Sequence, residues 1–129
     1  MDRVTGFFIV CLGGALGSGL RYLTAQWTAA RGWTSFAWAT LIVNVVGCFF
    51  IMLITTIAAR TTMSQGVRLF LTTGIMGGLT TYSTFDYETT TYLQTGAQMS
   101  ALLNIGATLV VCFVAGLAGI GLARVLVPE

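Results

Sequence analysis

Charge is missing from four long stretches of this chain. No Asp, Glu, Lys or Arg lies between Arg3 and Arg21, between Arg31 and Arg60, between Arg68 and Asp86, or between Glu88 and Arg124. A helix that crosses a bilayer needs about 20 mostly apolar residues. Four such helices fit, at roughly 5–29, 34–59, 67–94 and 98–124. The connections left over are short, so residues 1–129 read as a single four-helix transmembrane domain with no extramembrane module. With 56% hydrophobic and 8% charged residues and a mean hydropathy of +0.87, the fold class is an all-α membrane protein. The apolar run after Arg3 continues through Tyr22 to Trp27 and three more spans follow, which argues against a cleaved signal peptide.

Four helices of this length make a thin bundle. One copy alone would wall off a path from lipid poorly, so an oligomer is expected. The net charge of +2 is too small to imply a nucleic-acid partner. All six basic residues are Arg, and His is absent. A proton relay or metal site built on imidazole is therefore excluded. No nucleophile–base pair, nucleotide loop or thiolate metal cluster is present, which argues against an enzyme. Cys11, Cys48 and Cys112 are odd in number and lie in apolar stretches, so they read as small buried residues and not as a disulfide set.

The third span contains a break. Gly74-Ile75-Met76-Gly77-Gly78-Leu79-Thr80-Thr81-Tyr82-Ser83-Thr84-Phe85 carries three glycines, then hydroxyls and two aromatics. Irregular backbone at membrane depth needs protein, water or an ion to satisfy its peptide groups, because lipid cannot. Unwound glycines would leave carbonyl oxygens free, which are ligands for a hard cation. Alternatively, the hydroxyls of Thr80, Thr81, Ser83 and Thr84 cap the broken ends locally. Tyr82 and Phe85 are three apart and share a face wherever this stretch is helical.

The other spans carry polar and small stripes. In the first, Gly13/Gly17 and Gly14/Ser18 are small pairs four apart, which lets helix backbones approach closely. Arg21 follows and either snorkels to the interface or points into an aqueous vestibule, where it would concentrate anions. In the second span Thr40, Asn44 and Cys48 share one face. The Asn44 carboxamide serves an interhelical hydrogen bond or donates to a substrate. In the fourth, Ser100, Asn104, Thr108, Cys112 and Gly116 form one polar-to-small stripe, consistent with a packing seam and a wet track. Trp27, Trp33, Phe36 and Trp38 form an aromatic belt at the first loop. Neutral N–H and O–H donors with aromatic edges suit a small, hard, hydrated anion, although water or a cation also uses such a lining.

Gly77-Gly78-Leu79-Thr80-Thr81-Tyr82-Ser83-Thr84-Phe85 resembles the signature of the Fluc (CrcB) fluoride channels. Gly13-Gly14-Ala15-Leu16-Gly17 with Arg21-Tyr22, and Thr40-Leu41-Ile42-Val43-Asn44 followed by Gly47, are similar to that family's first and second helices. The resemblance covers nearly the whole chain. It implies an antiparallel dimer, the third helix of each copy broken at mid-membrane, with two fluoride pores lined by both subunits. It implies a sodium ion held at the dimer axis by the backbone carbonyls of Gly77 and Thr80. Asn44 becomes a pore donor, Phe85 and Tyr82 the aromatic contacts, and Ser83 and Thr84 hydroxyls near the path. Thr40, Asn104, Thr108 and Cys112 fall on the polar track, with Glu88 near it. The implied role is passive export of fluoride across the inner (plasma) membrane. Tyr82 stands where the family usually has Phe, and Asn104 and Cys112 stand where Tyr and Ser are expected.

Two other readings remain in play. A small multidrug-type exporter also has four short helices, but its chemistry needs an acid within the first helix, and Phe7 to Leu20 contains none. A non-transporting assembly subunit fits poorly with the polar stripes. Arg3, Arg60, Arg68 and Arg124 lie on one side of a four-span topology, against Arg31 and Arg21 on the other. That is a modest bias toward cytoplasmic termini. A dual-topology homodimer is the favoured arrangement, and an oriented subunit paired with an oppositely inserted relative is the alternative.

Overall fold

The computed structural model describes residues 1–128. Two long helices come first, α1 (Arg3–Ala30) and α2 (Trp38–Arg60). The third span is a composite. It runs through a short helix α3 (Gln65–Leu69), a π-helical stretch (Phe70–Met76), a single turn α4 (Gly77–Leu79) and, after a gap, α5 (Tyr82–Gln94). A last long helix, α6 (Gln98–Leu126), closes the chain. Helices α1, α2 and α6 are each long and apolar enough to cross a membrane. The third span is bent and interrupted.

Local chemistry sets the ends. Asp2 caps α1, its carboxylate accepting from the Thr5 amide at 2.8 Å and the Thr5 hydroxyl at 2.8 Å. Those bonds, the amide first, hold the Asp2 carboxyl below the usual carboxylate range. At the far end Gly32 turns the chain with φ +71, and the Trp33 amide closes back on the Thr28 carbonyl at 3.0 Å. Gly96, with φ +79, does the same after α5. Helix α2 starts at Trp38, four residues later than the pattern predicted. Residues 34–37 instead pack the aromatic belt: Trp33 lies 5.3 Å from Trp27 and 6.3 Å from Trp38, and Phe36 stacks on Tyr92 at 6.2 Å. Arg31 sits over the Trp27 ring at 4.4 Å.

Packing pairs alternate spans. Helix α1 lies along the π-helical stretch and α4, and α2 lies along α6, while α1 and α6 do not touch. Glycines set the first seam. A Cβ on Gly13 would stand 2.6 Å from the Phe70 carbonyl oxygen and 2.8 Å from Gly74 Cα. A Cβ on Gly17 would run into the Ile75 carbonyl oxygen and lie 2.8 Å from the Leu79 amide nitrogen. One on Gly78 would lie 2.5 Å from the Gly14 carbonyl oxygen. The small residues of α1 and of the third span therefore face each other, backbone on backbone. The buried apolar core is small: Val43, Met76 and Leu79, with Ile51 and Ile75 packed against it. Large apolar side chains such as Phe7, Leu12, Leu16 and Phe113 are exposed, as befits a lipid-facing or partner-facing surface.

The break is narrower than Gly74–Phe85. Gly74 lies in the π-helical stretch and Gly77 is helical, with φ −64 and ψ −36. Only Thr80 (φ −80, ψ 153) and Thr81 (φ −152, ψ 123) are extended. The glycines are not unwound; Gly74 and Gly78 sit where α1 leaves no room for a side chain, while a Cβ on Gly77 would meet only the Thr72 carbonyl oxygen at 3.9 Å.

Candidate functional site

The two extended residues are held by α2. The Thr81 amide donates to Asn44 Oδ1 at 2.8 Å, and Asn44 Nδ2 donates back to the Thr81 carbonyl at 3.1 Å. One carboxamide thus satisfies both peptide groups of one residue, which also fixes which end of the amide is which. Asn44 is 8% exposed and Thr81 9%. At membrane depth this replaces the helical partners that the break removes. One Nδ2 hydrogen of Asn44 is left over.

The hydroxyls finish the break. Thr81 Oγ1 caps α5 by accepting from the Thr84 amide at 3.2 Å. It also meets Ser83 Oγ at 3.2 Å and Thr84 Oγ1 at 3.1 Å. Thr80 turns back, its hydroxyl donating to the Met76 carbonyl at 2.9 Å. The capping reading of the break thus has a structural counterpart. Hydroxyls cap it, and two amides leave the carbonyls that a continuous helix would give them. The Thr81 amide, which a continuous helix would aim at the Gly77 carbonyl, goes to Asn44. The Thr84 amide, which would serve Thr80, goes to the Thr81 hydroxyl. Gly77, the first residue of α4, is exposed.

Two grooves open on either side of Thr81. The larger, about 740 Å³, is lined by α2, the third span and α6, including Asn44, Thr80, Tyr82, Phe85, Thr108 and Cys112. Phe85 is 8% exposed and Tyr82 78%, with ring centroids 5.4 Å apart. The smaller, about 360 Å³, is lined by α1, α2 and α5, including Ser18, Arg21, Thr40, Thr84 and Glu88. There Thr40 Oγ1 donates to Glu88 Oε1 at 2.9 Å, while Glu88 Oε2 is buried without a partner among the described residues.

The residues singled out in the sequence are therefore divided. Asn44, Tyr82, Phe85, Thr108 and Cys112 meet on one side, with Gly77 and Thr80. Arg21, Thr40, Thr84 and Glu88 meet on the other. Ser83 is exposed and joins only through Thr81. Asn104 lines neither groove. It is 1% exposed, and its Nδ2 donates to Thr89 Oγ1 at 2.9 Å, which donates to the Phe85 carbonyl at 2.7 Å. Thr89 is the buried polar position that sequence reasoning passed over, and in the sequence Thr81 reads only as one of several capping hydroxyls. Nothing in a run of hydroxyls marks which one turns inward. The i+4 spacing of Phe85 and Thr89 was the only available hint.

An all-helical, multi-pass membrane protein whose one interrupted span is clamped over an open, largely apolar groove edged by threonines and aromatic rings has the architecture of a permeation pathway. The family model described as "CrcB-like protein, Camphor Resistance (CrcB)" matches residues 8–120, and the chain belongs to that family. It is 47% identical over 124 residues to "Fluoride-specific ion channel FluC" of Geobacter sulfurreducens, covering 95% of this chain and all of that protein. It is 44% identical over 117 residues to the protein of the same name in Anaeromyxobacter sp. (strain K), covering 90% and 93%. With that of Sorangium cellulosum it shares 43% over 122 residues, covering 94% and 96%.

Proposed function

We propose that this chain forms a fluoride-selective ion channel that exports cytoplasmic fluoride passively across the plasma membrane, and that it catalyses no reaction. The observation that carries this reading is the Asn44 clamp on Thr81. It holds a non-helical turn at the groove that Phe85 and Tyr82 also line, and leaves one carboxamide N–H over. Donors without acceptor competition, aromatic edges and no embedded acid on α1 favour an anion over the cations of a multidrug-type exporter. The test is fluoride efflux from liposomes loaded with purified protein, with chloride as control. Equal rates for both ions, or none for fluoride, would sink the reading.

The working unit is an antiparallel dimer of identical subunits with two pores. One copy divides its polar residues between two open grooves, and a second inserted copy would cover them. Single cysteines placed at the C-terminus and labelled from each side of intact cells should react from both sides. Labelling from one side only would make this an oriented subunit that needs a different partner.

The carbonyls of Gly77 and Thr80 hold one sodium at the dimer axis. The released carbonyls fit the group, being hard, uncharged oxygen ligands; the ion would supply positive charge at mid-membrane. Replacing sodium with N-methylglucamine should lower the unfolding temperature, since saturation at about a hundred times Kd contributes about 2.7 kcal/mol. Identical unfolding in the two cations would contradict the site.

Phe85 offers its ring edge to the anion. Phe85→Ile should reduce fluoride flux by about fivefold or more, the loss of roughly 1 kcal/mol or more of edge attraction. Tyr82→Phe keeps a positive rim and should change flux less. Normal conduction by Phe85→Ile would end the ring-edge argument.

A further inference from the structure

Two of the three thiols line the larger groove without any thiol chemistry assigned to them so far. Cys48 on α2 and Cys112 on α6 are half-buried, unbridged, and both line the larger groove. The register between the two helices sets them side by side. Arg60 Nη1 donates to the Val127 carbonyl at 2.9 Å, a separation of 67 residues. A turn or two lower, a Cβ on Gly119 would meet the Phe49 carbonyl oxygen and lie 3.1 Å from the Leu53 amide nitrogen. Lower again, one on Gly116 would lie 3.3 Å from Met52 Cγ and 3.7 Å from the Cys48 carbonyl oxygen. The helices run parallel, and one more turn down α6 puts Cys112 within a turn of Cys48, on the side of the groove that both line. Both thiols face the same groove. Cys11, by contrast, is exposed on α1.

We infer that Cys48 and Cys112 form a two-thiol site for a soft divalent cation of the mercuric class. Thiolates select soft metals over hard ones. No group of three or more His, Cys, Asp or Glu that could hold a metal exists among the described residues, so tetrahedral zinc lacks its ligands. A linear two-coordinate ion needs only two. The charge also balances. Each S–H releases its proton to water, two sulfur–metal bonds form, and two thiolates neutralise the +2 ion. A neutral complex is the form that a low-dielectric groove accepts; a monovalent soft ion would leave a net negative charge. The bound ion would bridge α2 and α6 across one wall of the groove, a turn from Asn44.

The experiment uses purified Cys11→Ser protein in detergent and mercuric chloride. One equivalent per chain is expected, read by the near-ultraviolet sulfur–metal absorption. Losing either thiol should weaken binding by at least about a hundredfold, because a second tethered ligand raises avidity by about 10²–10⁴. The variants are Cys48→Ser and Cys112→Ser, and unchanged affinity in either one overturns the site. Dibromobimane, which fluoresces only when both arms have reacted, gives a second reading without mutating the pair. It should light up the Cys11→Ser protein, and mercuric ion should prevent this. Dark protein whose two thiols each accept monobromobimane would show that they stand too far apart. Both readings are made without measuring fluoride, so they stand or fall apart from the transport activity.

Discussion

Asn44→Asp is expected to cut fluoride flux by more than about a hundredfold while the protein remains folded. The isostere keeps one bond of the clamp and reverses the other. Its carboxylate still accepts from the Thr81 amide, but the oxygen replacing Nδ2 would face the Thr81 carbonyl, now 3.1 Å from a donor. It also places a negative charge beside the path. A charge at the centre of a span costs about 3 kcal/mol, and each 1.4 kcal/mol is a factor of about ten. Asn44→Leu separates the two effects, since it removes the clamp without adding charge. If flux survives in Asn44→Asp at the parent rate, Asn44 has no part in conduction. If Asn44→Leu is as inactive as Asn44→Asp, the clamp matters more than the charge.

The second large effect is on stability. Gly17→Val should lower the midpoint of unfolding in detergent by the equivalent of about 1–3 kcal/mol or more. The new Cβ would enter the Ile75 carbonyl oxygen, and backbone cannot rotate away as a side chain does. Gly19→Val is the control. It lies two residues along the same helix, and a Cβ there meets nothing within 4 Å. Equal losses from the two changes would mean that helix propensity, and not the close seam, decides the cost.

Much of this arrangement was legible because the residues concerned have few alternatives in a membrane. Charge-free runs of this length can only be spans. Thr40 and Asn44, four apart, do share a face of α2, and both bond to the third span or its continuation. The glycines of α1 are legible as a close-packing face, but Gly74 and Gly78 of the break suggest freedom where the structure uses them for size. Gly74 and Gly78 take ordinary helical positions against Gly13 and Gly14. Composition cannot separate those meanings, because an absent Cβ permits both. The stripe on α6 was misleading in another way. Asn104 is locked to Thr89, Thr108 and Cys112 reach the groove, and Gly116 packs on α2. A shared helical face does not mean a shared environment when neighbouring elements differ in height. That Thr81, and not Thr80, Ser83 or Thr84, is the clamped residue depends on where α2 stands, which no local pattern records.

The alternate pairing of spans has a consequence for biogenesis. Helix α1 finds its main partner only after the third span has been made, and α2 waits for α6. Neither successive hairpin is the unit that buries the glycine seams. During synthesis the early helices enter the bilayer as loosely associated neighbours, and final docking follows release of the last span. A nascent chain stalled before α6 would keep an unmatched α2 face in the lipid, open to a foreign helix. The stretch left uncovered would lie around Phe49 and Leu53, where Gly119 seats in the finished protein.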